Sequence, residues 1–144
     1  MRKILFLLVI YQFNFSQCIA QTLAECFGNE GYGYFFETPF SKKSDAGWHK
    51  DGITNGRFNL IKSNNEYDIL FIDATGRLVS AKADNGEVFL LNSDANSYTV
   101  LVVYPGLASE VYHFDLNAKI YSLSSNKFGA SIVPEASVYI GSCI

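Results

Sequence analysis

The chain has 144 residues, with 11 Lys+Arg against 14 Asp+Glu and two histidines, giving a formal net charge of −3. Past residue 20 its one basic doublet is Lys42-Lys43, and Asp45 follows closely. With no basic stripe, the sequence offers nothing for a nucleic-acid backbone or an anionic membrane surface to recognise. Tyr and Phe contribute 9 and 12 residues and Met only the first, a composition that fits pleated surfaces better than helices.

Arg2 and Lys3 precede the apolar run Ile4 to Tyr11, and the stretch ends in Cys18-Ile19-Ala20. A charged start, an apolar middle and a small-residue exit predict a secretory signal peptide over residues 1–20, cleaved after Ala20. The apolar stretch is about a dozen residues, short of the roughly 20 a spanning helix needs. Gln17 before Cys18 is a poor fit for lipid attachment. The expectation is therefore one domain over residues 21–144, secreted or periplasmic, with no transmembrane segment after signal removal. Cleavage takes Arg2 and Lys3 away, leaving nine basic residues against fourteen acidic ones and a charge of −5. It also removes Cys18. Cys26 and Cys143 then remain, and an oxidising compartment predicts a disulfide between them. Neither has the His and Cys neighbours of a zinc site.

A short helix around Leu23 to Phe27, or within Phe40 to Asp45, is compatible with the sequence. Residues 28–56 are the least regular part, with Tyr32, Tyr34, Phe35, Phe36, Phe40 and Trp48 interspersed with Gly28, Gly31 and Gly33. Two readings stand. Exposed aromatics here would stack on a sugar, an apolar ligand or a partner protein, with Tyr32, Tyr34, Phe40, Trp48 and His49 as candidate binding residues. Alternatively, and preferred, Tyr32 to Glu37 is a first strand with buried rings and Trp48 plugs one end of the fold. Asp51-Gly52 and Asn55-Gly56 mark loop or turn.

From Phe58 the chain reads as short strands with turn residues between them. Phe58 to Lys62 and Glu66 to Ile72 flank Ser63-Asn64-Asn65. Asp73 to Gly76 turns the chain into Arg77 to Ala83, and Asp84-Asn85-Gly86 is the clearest hairpin signal. Glu87 to Leu91 and Ser97 to Tyr104 follow, the latter with Val100 to Val103 suggesting burial on both faces. Val111 to Leu116 alternates, Lys119 to Ser124 is less patterned, and Ser131 to Ile140 is interrupted by Pro134, which implies an edge, bulge or break. Seven to nine strands joined in order by short loops predict an all-β fold. The expected form is an antiparallel up-and-down meander of about eight strands closing into a small barrel, with a two-sheet sandwich as runner-up.

Chemistry-bearing patterns are thin. The chain has no G-x-S-x-G elbow and no H-E-x-x-H pair. His113 shares a face with Val111 and Asp115, which places it on the wetter side. Asp73, Asp84 and Asp94 read as turn formers rather than calcium ligands, with Asp84 expected at the opposite end from the other two. A lipocalin-type Gly-x-Trp is met only by Ala46-Gly47-Trp48, with Trp directly after Gly. The large apolar side chains argue for a filled interior. The sequence therefore predicts no catalytic residue, no metal and no cofactor. It points to a non-enzymatic binding module for a protein or glycan partner, or else a carrier of a small apolar ligand inside the barrel.

Overall fold

The computed structural model describes residues 20–144 apart from Ser41 and Ala74, so the predicted leader lies outside the described residues but for Ala20. The described residues form nine strands: β1 (Gln21–Phe35), β2 (Gly47–Ser63), β3 (Glu66–Ile72), β4 (Leu78–Ser80), β5 (Glu87–Ser93), β6 (Ser97–Tyr104), β7 (Ala108–Asp115), β8 (Ile120–Lys127) and β9 (Glu135–Cys143). A single 3₁₀ turn, Lys43–Asp45, sits in the β1–β2 connection. Every neighbouring pair is antiparallel, and the strands make one sheet in the order β4-β3-β2-β1-β9-β8-β7-β6-β5. The sheet curls into a half-barrel. It is not a two-sheet sandwich.

The expected ladder closure meets a parity obstacle. Nine strands, each antiparallel to its neighbour, leave the two edge strands running the same way. β4 and β5 could therefore join only as a parallel pair, which needs a crossover of a dozen or more residues. The link between them covers only residues 81–86. That link covers the seam instead: Ala81 N–H donates to Ile69 O at 2.8 Å and Gly86 N–H to Ala81 O at 2.7 Å. Ala81 is fully buried and Gly86 packs against Tyr104 and Val102.

The concave face folds onto itself to make the core. Phe58 of β2 lies 5.6 Å, ring centroid to centroid, from both Tyr112 of β7 and Tyr121 of β8, while Phe114 stacks on Tyr112 at 6.2 Å. Leu60, Ile69, Val100 and Val102 complete this dry interior. Burying each large side chain contributes about 1.5–3 kcal/mol, so the curl itself is driven by these rings meeting across the half-barrel.

The chain ends lie at the sheet centre. β1 pairs with β9, Cys26 stands directly opposite Cys143, and the two are joined by a disulfide. Beside it Gly141 lies beneath the Tyr121 ring and against the Gly28 carbonyl, so close that an added Cβ would collide with both.

Several segments depart from expectation. Leu23 to Phe27 is strand, not helix, because β1 is hydrogen-bonded on both sides. Asp51-Gly52 and Asn55-Gly56 lie inside one long strand. Phe27 pairs with Arg57 and Asn29 with Ile53, so residues 54–56 bulge against Gly28, with Asn55 and Gly28 at φ of 58° and 66°. Arg77 to Ala83 shrinks to the three residues of β4. Leu101 and Val103 are half-buried, while Val100 and Val102 are fully so, which makes β6 a one-sided strand.

Candidate functional site

Strand periodicity sorts the aromatic segment into two faces. Tyr32 and Tyr34 of β1 point to the convex side, where Tyr34 is directly opposite Trp48 of β2. Their rings meet edge-on at 5.5 Å; Tyr34 meets Phe36 at 5.1 Å, and Phe36 meets Phe128 at 5.2 Å. Phe128 comes from the β8–β9 loop, so a continuous aromatic row crosses the sheet from β2 to that loop. Trp48 is 70% exposed, Tyr32 60% and Phe128 49%. Val138 and Ile140, exposed on β9, extend the patch: Val138 is the register partner of Tyr32, and Ile140 that of Glu30. Lys50 and Glu30 form an exposed ion pair at 3.4 Å at its border.

The preferred reading of buried rings is corrected in part. Residues 32–35 do belong to the first strand, but Trp48 plugs nothing; it stands outside on the convex face. His49 faces the other way, opposite Gly33 and 5.9 Å from Phe35. Phe40, 89% exposed, belongs to the tip of the β1–β2 connection beside Ile132 and Val133. The structure therefore brings together Tyr32, Tyr34 and Trp48, and separates them from His49 and Phe40.

A second feature opens at the end of the half-barrel that carries the β6–β7 turn and the β8–β9 loop. A cavity of about 280 Å³ is walled by Ile53, Phe58, Phe71 and Leu123, with Glu110, Asp84 and Lys127 among its polar groups. Glu110 points inward from β7, between the register positions of Val102 and Ser125. Tyr112 Oη donates to its Oε2 at 2.7 Å and Ser125 Oγ to its Oε1 at 3.4 Å. Burial pushes the Glu110 carboxyl up, against the downward pull of the Tyr112 hydrogen bond and of Lys127. Lys127 is itself bound to buried Glu135, Nζ to Oε1 at 2.7 Å. Burial likewise raises the Tyr112 hydroxyl well above its usual range, with Glu110 adding to the effect.

The remaining polar candidates are structural in their contacts. His113 is exposed on the convex face with Nδ1 3.0 Å from Thr99 Oγ1. Asp73 accepts from Thr75 N–H, Thr75 Oγ1 and Arg77 N–H; Asp94 accepts from Asn96 N–H, Ser97 N–H and Ser97 Oγ. These are self-contained turns. Asp84 departs from expectation: because β4 is so short, it lines the same cavity as Ile72 and lies near Asp73's end of the sheet. Among the described residues no group of three His, Cys, Asp or Glu is placed to hold a metal, and no helix is long and apolar enough to cross a membrane.

Sequence reasoning missed Phe128, Val138 and Ile140 because they belong to segments far from the aromatic run. It also missed Glu110. Starting that strand at Val111 hid the signal: extended back to Ala108, it places Glu110 on the face of Tyr112 and Phe114, an acid among core rings. Comparison of the chain with family models, curated proteins and solved structures finds no match.

Proposed function

We propose that the protein is an exported, non-enzymatic binding module that docks a partner protein on its convex face. The observation that carries this reading is the exposed aromatic row Trp48–Tyr34–Phe36–Phe128, continuous with Tyr32, Val138 and Ile140. Scattered exposed apolar residues are ordinary, but a contiguous patch rimmed by charge, as here by Lys50 and Glu30, is typical of an interaction surface. Rigid aromatic side chains supply large contact area at low entropic cost, which is why they dominate interface energetics. The neighbours argue for protein over glycan: Val138 and Ile140 offer sugar hydroxyls no hydrogen-bonding group, whereas they complement an apolar protein surface. A signal-like N-terminus and the Cys26–Cys143 disulfide support an extracytoplasmic setting.

The test is co-purification from the native host with wild-type protein, a Tyr34→Ser/Trp48→Ser variant and a Lys62→Ser control remote from the patch. The reading expects one partner retained by wild type and control and lost by the double variant, all three melting alike. A partner retained by all three contradicts it. Saturable quenching of Trp48 by an oligosaccharide series would transfer the face to a glycan.

The mouth cavity favours a second reading, carriage of a small apolar ligand. Its volume is near the lower end of ligand pockets, and its walls are mostly apolar with few polar groups.

A further inference from the structure

We infer that the mouth cavity, if it carries a ligand, is selective for a small apolar amine, an aryl- or alkyl-ammonium whose charged head meets Glu110. The inference rests on the carrier reading above and adds the chemistry of the head group.

Three observations converge on it. The first is an acid without an ion-pair partner. Glu110 is partly buried on the concave side of β7, and among the described residues no cation stands within ion-pair distance of it, Lys127 acting on it only from further away. A carboxylate has room for about four hydrogen bonds, and Glu110 accepts two, from Tyr112 and Ser125. It is also one of the cavity-lining residues.

The second is the charge around it. Lys127 lines the same cavity, but its ammonium is held by Glu135. With the Lys127 ammonium matched by Glu135 outside the lining, Asp84 and Glu110 remain as two lining carboxylates with no paired cation, a net −2 for the four groups when all are ionised. An anionic amphiphile such as a fatty acid would enter a field of its own sign. A monocation would supply the direct ion-pair partner that the partly buried Glu110 carboxylate lacks, and removing a carboxylate from water without one is costly.

The third is the walls. Phe58, Phe71, Tyr104 and Tyr112 all line the cavity. Aromatic faces attract an ammonium and also accommodate the apolar body behind it, most strongly where water is excluded. A neutral apolar molecule would use only the walls; an amine uses the walls and the acid together.

The test uses a matched series on the disulfide-bonded protein at pH 8: phenethylamine, 2-phenylethanol and phenylacetate, followed by isothermal titration. The expected result is saturable phenethylamine binding, tighter than 2-phenylethanol by about tenfold or more, the order set by gaining one charge-assisted hydrogen bond, with no saturation by phenylacetate. Glu110→Gln should bring phenethylamine down to the level of 2-phenylethanol while leaving the alcohol unchanged. Asp84→Asn, at the exposed rim, should weaken the amine less and also spare the alcohol. Equal binding of alcohol and amine by wild type would overturn the amine inference and leave the carrier reading standing. Saturation by none of the three would overturn both. The wild-type comparison decides the matter even if Glu110→Gln folds poorly, and an amine preference that survives both substitutions would place the head group elsewhere and refute the assignment.

Discussion

Breaking the Cys26–Cys143 link should lower the melting temperature far more than any single surface change. The two cysteines are separated by 117 residues in sequence, so the cross-link closes nearly the whole described chain. In the loop-entropy treatment a closure of that length removes about 5 kcal/mol of unfolded-state freedom. Both sulfurs are buried at the β1–β9 ladder, and that ladder keeps its hydrogen bonds without them, so the native architecture survives and the effect falls mainly on the unfolded chain. Unfolding about 125 residues carries an entropy near 0.26 kcal/mol/K, so the loss corresponds to about 15–20 °C. Scanning calorimetry of oxidised protein, protein reduced with a phosphine, and Cys26→Ala/Cys143→Ala measures it directly. Circular dichroism at low temperature should show the same sheet in all three. A midpoint that moves by less than about 3 °C in both reduced and double-variant protein would refute the reasoning, because at this size it means a stability change under about 1 kcal/mol.

Other expectations follow from particular contacts. Gly141→Ala should destabilise by about 1–3 kcal/mol or prevent folding, since its methyl would collide with the Tyr121 ring and the Gly28 carbonyl; urea denaturation reads it. Burial raises the Glu110 carboxyl above its unfolded value, so its contribution is present at low pH and is lost as pH rises past the ordinary carboxylate range, with Lys127 offsetting part of the loss and Glu135 adding to it. Glu110→Gln should therefore melt higher than wild type at pH 8 and level with it at pH 4; an unchanged difference across that range would contradict the burial argument. The Asp73 carboxyl is held down at about 2, chiefly by the Thr75 hydroxyl and then by the Arg77 backbone, so its contribution is present above pH 4 and lost toward pH 2. Asp73→Asn should flatten the acid limb of the melting profile over that interval. Trp48→Ser, at an exposed position, should change stability by no more than about 0.5 kcal/mol in denaturant titration.

Much of the fold was legible where turn chemistry and alternation agree. β3 and β6 have the bounds their sequences suggest, because Asn64-Asn65 opens the one and Pro105-Gly106 closes the other, although the unbroken Val100 to Val103 run hid that β6 buries only one face. The β1–β2 hairpin was not legible. Leu23-Ala24-Glu25 suits a helix as well as a strand, and only the pairing of Ala24 and Glu25 with Leu60 and Asn59 of β2 decides it, a tertiary choice that local propensity does not encode. Asn55-Gly56 reads as a turn, yet the same positive φ serves a bulge when a partner strand lies alongside. The half-barrel ending follows from strand parity, and the seven to nine strands read from the sequence left parity open; β4, read there as Arg77 to Ala83, pairs over only three residues but makes the count nine. At the candidate site, residue type singled out Tyr32, Tyr34 and Trp48, which share one face of the sheet, but could not show which face that is. His49, next in sequence to Trp48, lands on the opposite side for the simple reason that strands alternate. Phe128 joins the row from 80 residues further along the chain.

The account turns on the convex aromatic face being an interface, and site-specific photo-cross-linking in the native host tests that most directly. A benzophenone side chain is placed at Tyr32, within the patch, and separately at Asn65, in the exposed β2–β3 turn at the far end of the sheet. The prediction is one discrete protein adduct from position 32 and none from position 65. No adduct at position 32, or the same adduct at equal yield from both positions, would contradict it.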